Sequence, residues 1–409
     1  MAAAPTLPYH ERMNPAASDP CTIDGLALPI VRPASAAELG DLVRQGQPLY
    51  PVGGRTQLHV GLPPSRPGVA VDTTALDAVI DYPARDMTIT VGAGIRLHRL
   101  QAILAGQGQR LPIDVPLPHL ATLGGSIAAN VSGPRRYGQG TLRDYVIGIS
   151  VVGDTGEETK AGGRVVKNVA GYDLCKLHTG AFGTLGIITQ ATLKVRPLPE
   201  AMGMVVVGCH ESVLHALLDA LHESRTRPAC IEAVSRLLAE PLGLAETEWS
   251  VVVGYEDSEP AVGWQVGQLI EELDAAGFKG AEVRFALSAA PLWQALTDLT
   301  LAEGERLAWK ASMLPGQVAQ ACRGFTRIHA HAGNGIVWGR SDASTEEEAR
   351  KMLSGLPGTV TLTRCPTEWK RSLPVWGKPR GDLALMRRVK AALDPRDLFN
   401  PGRFLDSPA

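Results

Sequence analysis

Short apolar runs dominate the first half of the chain and predict β-strands. Val, Ile and Thr are frequent in these runs and Gly or Pro flanks most of them, as is typical of strands. The clearest are PLYPVGG, GVAVDTT, MTITVGAG, YVIGISVVG and LGIITQATLKV. Two segments between them have helical spacing: SAAELGDLVRQG begins with a Ser cap and a Glu three residues later, and RLHRLQAILAGQG places Leu97, Leu100, Ile103 and Leu104 on one face.

The second half alternates strand-like and helix-like segments. The prolines of RPLPE, which ends at residue 200, mark the boundary between the halves. Beyond them, AMGMVVVGC, WSVVVGYE, RIHAHAGNGIVWG and GTVTLTRC predict strands, whereas HESVLHALLDALHES, AVGWQVGQLIEELDAAG and STEEEARKMLSG predict helices. This order is typical of an α+β fold in which helices cover one face of a sheet. A last helix, DLALMRRVKAALD, leads into PRDLFNPGRF.

Length and composition limit the class of protein. The 409 residues exceed the usual size of one domain and indicate roughly two to three domains. A formal net charge of -2 provides no overall field that would attract nucleic acid. The six cysteines form no C-x-x-C pair, so ligands for zinc or an iron–sulfur cluster are missing. The sequence has neither a signal-peptide pattern nor an apolar run of about 20 residues. We therefore expect a cytoplasmic protein that spans no membrane and that contacts a membrane only through a partner subunit.

Glycine-rich segments next to strands indicate a ligand close to the main chain. In PVGGRTQLHVG, a Gly-Gly pair after a strand frees N–H groups that can converge on phosphate oxygens, although a hairpin turn would explain that segment alone. A second loop, ATLGGSIAANVSGP, and a third, HTGAFGTLGIITQATLKV, precede the same boundary. Three such loops predict an extended dinucleotide contacted at several places. The Rossmann alternative, GAGIRL after MTITV, lacks the third glycine of its fingerprint.

Four segments of the chain resemble a known family. They are PVGGRTQ, LPHLATLGGSIAANVSGPRRYGQGTLRDYVIGISVV, VVKNVAGYDLCKLHTGAFGTLGIITQATLKVRPLP and LDPRDLFNPGR. They resemble the vanillyl-alcohol-oxidase-type, or PCMH-type, FAD-binding domain, in the branch that contains D-lactate dehydrogenases and glycolate oxidases. Within this branch, the likeness is greatest to the FAD-binding E subunits of bacterial glycolate oxidases. It covers essentially the whole chain, is most specific between residues 51 and 199, and is loose from 201 to 378.

The resemblance implies an α+β protein with three parts. A two-lobed PCMH-type FAD-binding domain occupies 20–199, and an α+β cap whose antiparallel sheet carries helices on one face occupies 200–378. A segment at 379–409, which contains the last helix, returns to the FAD-binding domain. FAD then lies extended between the two lobes of the first domain.

The resemblance also implies which residues bind FAD. The loop after PLYPV would hold the diphosphate, the segment around LGGSIAANVSG would line the flavin and its ribityl chain, and GIIT would hold the adenine. The residues expected to contact the cofactor are Val52, Gly53, Gly54, Arg55, Thr56, Gln57, Leu123, Gly124, Gly125, Ser126, Ser132, Gly133, Tyr137, Gly186, Ile187, Ile188 and Asn400. Because the first loop has no His or Cys where some relatives attach FAD, we expect non-covalent binding.

Two of these residues leave alternatives open. Relatives commonly carry a third glycine where this chain has Arg55, and a non-glycine residue is expected to avoid positive φ. Either the loop is reshaped, or Arg55 adds positive charge at the diphosphate. Tyr137 either flanks the cofactor or packs with its hydroxyl bonded elsewhere.

The segment RIHAHAGNGIVWGR carries the candidate catalytic residue. It resembles a degraded copy of a His-rich motif of D-lactate-type relatives: His331 matches the leading histidine, and Trp338 replaces a later one. His329 and His331 alternate with alanines and therefore share one face of a strand. Loss of the other polar groups argues against a metal site, and a histidine bonded within a sheet without catalytic duty remains the alternative. Cations that could bind a substrate carboxylate are Lys310, Arg323, Arg327, Arg340 and Arg364.

The implied function is that of the FAD-carrying subunit of a glycolate oxidase complex. A small 2-hydroxy acid, glycolate, would be oxidised to glyoxylate by hydride transfer to the N5 atom of the flavin. Because the chain has no clustered cysteines, electrons would leave through partners, implied to be a sister flavoprotein subunit and an iron–sulfur subunit. Two alternatives are an autonomous dehydrogenase for D-lactate or a similar acid, and a non-catalytic FAD-carrying subunit for assembly or electron relay.

Overall fold

The computed structural model describes residues 20–163, 172–244, 247–285, 289–301, 304–378 and 381–404. Residues 167–171 of the distinctive KNVAGYDL segment lie outside these ranges. Within them, no helix combines the length and the apolar character that crossing a membrane requires.

The chain begins with a small parallel sheet. A hairpin of β1 (Cys21–Ile23) and β2 (Leu26–Leu28) precedes β3 (Ile30–Val31), β4 (Leu49–Val52) and β5 (Val69–Asp72), which pair in the order β3-β5-β4. Helix α1 (Ala36–Arg44) connects β3 to β4. The Ser35 hydroxyl accepts a hydrogen bond from the N–H of Glu38, as the capping pattern predicts.

A five-stranded antiparallel sheet with order β10-β9-β11-β7-β6 forms the second lobe. Its strands are β6 (Val79–Asp81), β7 (Thr88–Gly92), β9 (Val146–Val152), β10 (Glu158–Gly162) and β11 (Ile187–Lys194). The helices of this region are α2 (Leu97–Ala105), α3 (Leu123–Ala129), α4 (Arg136–Gln139), α5 (Leu142–Tyr145) and α6 (Leu174–His178). The short strands β8 (Gln109–Arg110) and β12 (Arg196–Pro197) pair beside it. Helix α2 buries Leu97, Leu100 and Leu104, three of the residues that its periodicity places inside.

An eight-stranded antiparallel sheet, the large sheet, follows with order β16-β13-β15-β14-β18-β19-β17-β20. Its strands are β13 (Ala201–Cys209), β14 (Cys230–Ser235), β15 (Trp249–Asp257), β16 (Glu282–Phe285), β17 (Leu307–Ser312), β18 (Ile328–His331), β19 (Ile336–Ser341) and β20 (Thr359–Arg364). The segment RIHAHAGNGIVWG forms two strands rather than one, because a 3-10 turn at Ala332–Asn334 and Gly335 at φ +67° reverse the chain.

Helices cover most of one face of the large sheet and part of the other. The helices packed on the first face are α7 (Glu211–Glu223), α9 (Glu259–Ala275), α11 (Val318–Cys322) and α12 (Glu346–Ser354). Helices α8 (Arg236–Ala239) and α10 (Ala289–Asp298) pack on the opposite face, which we call the inner face. Sequence analysis expected helices on one face only, and the placement of α8 and α10 corrects that detail. Neither helix was among the predicted elements.

The inner face of the large sheet is turned toward the N-terminal half. Glu256 on β15 accepts hydrogen bonds from Arg135 (2.6 Å) and Arg110 (2.9 Å). Arg135 also pairs with Asp114, and its guanidinium lies 4.1 Å from the centre of the Trp293 ring. Side chains on the inner face therefore lie near the segments that precede α4.

The end of the chain returns to β4. After α13 (Leu383–Leu393), the N–H of Leu49 donates to the carbonyl of Leu398 (2.7 Å), and the N–H of Asn400 donates to the carbonyl of Leu49 (2.9 Å). Phe399 between them is fully buried. We propose the division 20–199, 200–378 and 379–409 as the domains of the protein.

Candidate functional site

An elongated cleft runs between the loop after β4, the start of α3 and the C-terminal segment. It consists of two adjoining cavities that are open to solvent and have volumes of about 730 and about 400 Å³ when that open space is included. Val52, Gly53, Gly125 and Asn400 line both. The expected cofactor residues in the wall of the larger cavity are Val52, Gly53, Gly54, Arg55, Thr56, Gln57, Gly125, Ser126 and Asn400. Gly124, Gly186, Ile187 and Ile188 line the smaller cavity. The fold thus brings the three glycine-rich loops to one place.

The loop after β4 has the properties of an anion-binding nest. The backbone N–H groups of Gly53 through Gln57 donate to no acceptor among the described residues. Arg55 has φ +58°, in the left-handed region, so the expectation that it avoids positive φ is wrong. Successive N–H groups in such a turn converge on one side, where phosphate oxygens fit. The strained conformation of Arg55 costs about 1–2 kcal/mol, which the surrounding contacts must offset.

The glycines of this loop bring two loops together. A Cβ atom on Gly53 would lie 2.1 Å from the hydroxyl oxygen of Thr122, and one on Gly54 would lie 1.9 Å from the carbonyl oxygen of Leu120. Gly125 differs, because its nearest neighbour would be the Thr122 hydroxyl at 3.1 Å, and it lines both cavities. Close loop packing therefore explains Gly53 and Gly54, whereas Gly125 leaves room for a ligand.

Asp24, Lys370 and Arg403 form a buried ionic cluster, which we call the Asp24 clamp. It fixes residues 58–62, which directly follow the nest loop at residues 53–57. Arg403 donates to the carbonyl oxygens of Leu58, Val60 and Leu62 at 2.6–2.7 Å and pairs with Asp24 at 2.6 Å. Lys370 donates to Asp24 (2.6 Å) and to the carbonyl of His59 (2.7 Å). Sequence analysis missed Asp24 and Lys370, since no motif links positions so far apart.

Asn400 holds the C-terminal segment against the cleft. Its side-chain amide donates to the carbonyl of Phe182 at 2.7 Å, and both residues have positive φ, +46° and +51°. Asn tolerates this conformation better than most residues. Asn400 and Phe182 both line the two cavities.

Four expected cofactor residues do not line these cavities. Leu123 is fully buried in the core behind the cleft, and Ser132 accepts a hydrogen bond from Arg136 at 3.2 Å. A Cβ on Gly133 would lie 2.6 Å from the Cβ of Asp114. The ring of Tyr137 packs on Gly333, in the turn after β18. Gly133 and Tyr137 lie toward the large sheet, and contact of all four residues with a cofactor remains a prediction.

A cluster of ionisable side chains, the Glu–His–His cluster, lies on the inner face. One carboxylate oxygen of Glu232, Oε2, is 2.6 Å from Nε2 of His329 and 2.6 Å from Nδ1 of His331. All three side chains are 0–1% exposed. Glu232 on β14 is opposite His331 on β18, while Trp338 on β19 is opposite His329 and packs against both imidazole rings.

Burial determines the protonation of this cluster. It lowers the pKa of His329 to about 3 and the pKa of His331 well below its ordinary value, so both imidazoles are neutral at pH 7. Burial also raises the pKa of Glu232. Among the described residues, this is the group whose geometry could hold a metal ion. However, two ligand atoms on a tetrahedral zinc ion stand about 3.4 Å apart, and the 2.6 Å separations are those of hydrogen bonds.

Two cations lie near the Glu–His–His cluster. Lys310 on β17 is opposite Trp338, with its ammonium 5.6 Å from the ring centre. Burial and then the charge of Arg136 lower the pKa of Lys310 to about 8. Lys310 and Arg136 also both lower the pKa of His331, so both cations lie near that imidazole. A carboxylate between these cations would relieve their mutual repulsion.

The other predicted carboxylate ligands are placed differently. Arg323 and Arg364 are exposed, and Arg327 pairs with Asp342 at 2.7 Å on the surface. Arg340 is on the inner face but donates to the carbonyl of Leu299 at 2.5 Å. Lys310 is therefore the member of that set best placed to bind a ligand.

Comparison with protein families agrees with this geometry. Residues 27–162 match the model of the FAD binding domain, and residues 376–404 match the C-terminal domain of FAD linked oxidases. These ranges contain the nest loop, the start of α3 and the return segment with Asn400 and Arg403. FAD is accordingly the cofactor. The unpaired amides of the cleft fit its diphosphate, and the three loops fit its extended shape.

Relatives of known name support the same class. The chain is 34% identical over 165 residues to glycolate oxidase subunit GlcE of Escherichia coli (strain K12), covering 40% of this chain and 47% of that protein. It is 26% identical over 396 residues to glycolate oxidase subunit GlcD of Bacillus subtilis (strain 168), covering 87% of this chain and 83% of that protein. Other relatives are named D-2-hydroxyglutarate dehydrogenase and D-lactate dehydrogenase.

A solved structure named alkyldihydroxyacetonephosphate synthase shares the fold. Its TM-score is 0.65 at 18% identity, over 92% of this chain and 77% of that one. The fold and the site together define an FAD-dependent oxidoreductase with a PCMH-type FAD-binding domain. The chain thus carries matches to the FAD binding domain and to the C-terminal domain of FAD linked oxidases, and glycolate oxidase subunits are among the proteins similar to it.

Proposed function

We propose that this chain is the FAD-binding subunit of a glycolate oxidase complex, and that it oxidises glycolate to glyoxylate. The observation that carries the proposal is the cleft itself, where the unpaired amides of Gly53–Gln57 and the open position at Gly125 face one elongated space. When bound there, FAD supplies the hydride acceptor. The name of the E. coli relative supports glycolate as the substrate.

We propose that the FAD is held without a covalent bond. The described residues that line the two cavities include no His, no Cys and no Tyr, side chains that are able to form a covalent link to flavin. Acid precipitation of the loaded protein should therefore leave all of the flavin in the supernatant. Flavin that stays in the pellet would contradict this part of the proposal.

We propose His331 as the catalytic residue that accepts the proton of the substrate hydroxyl. Its Nε2 atom is buried and has no hydrogen-bond partner among the described residues, and its imidazole is neutral. A neutral imidazole with a free ring nitrogen is the form that accepts a proton. Lys310 and Arg136 would bind the substrate carboxylate beside it.

Electrons must then leave the reduced flavin. Because no cysteine cluster is present in the sequence, we propose a sister flavoprotein subunit and an iron–sulfur subunit as partners, and a cytoplasmic location with membrane contact only through them. The names of the relatives, subunits GlcD and GlcE, support a complex of several subunits.

Anaerobic reduction of the bound flavin tests the proposal. The FAD-loaded chain, alone and mixed with candidate partner subunits, is given glycolate or D-lactate, and loss of the oxidised-flavin absorption is followed. Faster reduction by glycolate than by D-lactate supports the proposal. Faster reduction by D-lactate with the chain alone favours an autonomous dehydrogenase. A flavin that neither acid reduces, even in the complex, favours a relay subunit.

A further inference from the structure

The two imidazoles of the Glu–His–His cluster share one carboxylate oxygen. Oε2 of Glu232 lies 2.6 Å from a ring nitrogen of each histidine, while the other carboxylate oxygen, Oε1, is buried without a partner among the described residues. The same is true of Nδ1 of His329 and Nε2 of His331. The polar contacts of the cluster thus converge on Oε2.

This geometry determines where the ring protons are. Burial opposes the ionised form of Glu232, but two ring N–H groups that donate to one carboxylate oxygen stabilise that form. With Glu232 ionised, the carboxylate only accepts hydrogen bonds, so each ring nitrogen in contact with Oε2 carries a hydrogen. For His331 that nitrogen is Nδ1, which leaves the lone pair of the neutral ring on Nε2. Without the carboxylate, nothing among the described contacts would prefer this tautomer.

We propose that Glu232 is the positioning residue of the site, holding His331 with its hydrogen on Nδ1 and stabilising the ring when Nε2 takes up a proton. The catalytic part of this inference rests on the proposed function. In the reaction, the substrate O–H proton passes to Nε2 of His331. The hydrogen on the same carbon would leave with the two electrons of its C–H bond as a hydride, for which FAD held in the cleft would supply the acceptor, and the carbonyl of the 2-oxo acid would form.

His329 has a different role from His331 in the Glu–His–His cluster. It donates from Nε2 to the same oxygen as His331 and stacks on Trp338, with an angle of 19° between the ring planes. It therefore helps to hold the carboxylate of Glu232 in place. A purely structural cluster would need neither a fixed tautomer nor a free Nε2.

Nitrogen NMR of the histidine rings tests the tautomer without any substrate. In the FAD-loaded chain labelled with ¹⁵N-histidine, the wild type should show a protonated Nδ1 and an unprotonated Nε2 for His331, assigned with a His331→Asn variant. Glu232→Gln should shift the ring toward a mixture of tautomers, and Glu232→Asp should keep the wild-type form. An unchanged tautomer in Glu232→Gln would overturn the proposal.

Kinetics then test the catalytic consequence. Glu232→Gln should lower kcat roughly 100-fold or more, within the range for general base catalysis, with KM nearly unchanged and the acidic limb of the pH profile moved to lower pH. Glu232→Asp should recover part of kcat. Glu305→Gln is the matched control: it removes a largely buried carboxylate that pairs with Arg340 at 3.8 Å and contacts neither histidine, so it should behave as wild type.

Three other outcomes are decisive. Wild-type kcat and pH profile in a folded Glu232→Gln protein would show that the cluster is only structural. Stoichiometric zinc or manganese in the wild type, lost in Glu232→Gln, would also overturn the proposal, because the three side chains would then be ligands. If neither acid reduces the flavin but the tautomers behave as expected, the proposed function fails while the assignment of the ring protons stands.

Discussion

At the scale of the residue, Arg55 combines an unfavourable backbone conformation with a useful charge. Its φ of +58° belongs to the region that glycine occupies without strain, and its side chain lines the larger cavity. Glycine at this position would relax the loop, whereas Arg55 places a cation near the expected diphosphate. The two effects can be separated by substitution.

Replacing Arg55 by Gly should raise stability and weaken FAD binding. Relief of the left-handed strain is expected to increase the free energy of unfolding of the apoprotein by about 1 kcal/mol. Loss of the charge should raise the Kd for FAD several-fold. Thermal unfolding and fluorescence titration measure the two effects. Arg55→Lys is the control, since it keeps both charge and strain; if it binds FAD as weakly as Arg55→Gly, charge is not the reason.

Lys310 makes substrate binding depend on pH. Its lowered pKa of about 8 means that the ammonium loses its proton as pH rises through 8, so KM for glycolate should increase in that range. Lys310→Arg should keep KM low to higher pH, and Lys310→Met should have a high KM at all pH values. Initial rates from pH 6 to 10 decide this; a KM that stays flat across pH 8 in the wild type would exclude Lys310 as a carboxylate ligand.

At the scale of elements, the nest loop is shaped by parts of the chain far from it. The Asp24 clamp joins the turn after β1, the segment after β20 and the C-terminal segment to the carbonyls at 58–62. Side chains of Asp24, Lys370 and Arg403 are all at least 90% buried. A buried cation is costly without its partner.

Replacing Asp24 by Asn should destabilise the protein and loosen the cleft. It leaves two buried cations without their carboxylate, so we expect a loss of about 3–5 kcal/mol in the free energy of unfolding, and FAD should bind more weakly. Denaturant unfolding with and without FAD measures both. Asp41→Asn, which removes an exposed partner of Arg44, should change stability by less than about 1 kcal/mol. Equal effects of the two substitutions would contradict the role of the clamp.

Sequence patterns predicted the elements whose signal is local. The nest loop and the capping of α1 follow from a few consecutive residues, and both are present in the structure. The strand that carries Glu232 was missed because CIEAVS is short and buried throughout, so it has no alternation. Asp24 and Lys370 are 346 residues apart, and no spacing rule could pair them. The positive φ of Arg55 could not be predicted, because it is imposed by the packing of the loop and not by the residue type arginine.

At the scale of the whole molecule, a buried ionic network joins the two halves. Arg135 lies between Asp114 and Glu256, whose side chains are 5% and 0% exposed. Although burial alone would raise the pKa of Glu256, Arg135 and Arg110 hold it below its ordinary value. This pairing fixes the inner face of the large sheet, and with it His331 and Lys310, against the N-terminal half.

Replacing Arg135 by Gln should weaken the contact between the halves. Asp114 loses its cation and Glu256 keeps only Arg110, so we expect a loss of about 3–5 kcal/mol at pH 7 and separate unfolding transitions in calorimetry. Because the folded pKa of Glu256 is lowered, its contribution is present above the unfolded value and disappears as pH falls through the folded one. The difference from wild type should therefore shrink below about pH 4.

The exposed pair of Arg225 and Glu272 provides the control for that prediction. Arg225→Gln removes a cation of which 75% is exposed, and its effect should stay below about 1 kcal/mol. A single cooperative transition of unchanged midpoint in Arg135→Gln would show that the network does not hold the halves together.

The most direct test of the account is the binding of FAD to the purified, folded chain. We predict that one FAD binds per chain, raises the unfolding temperature and is released by acid. Gly125→Val adds a side chain at the point shared by both cavities; it should fold after a small shift of the Thr122 hydroxyl and should bind no FAD. A folded wild-type chain that remains colourless in excess FAD, without thermal stabilisation, would contradict the assignment of the cleft.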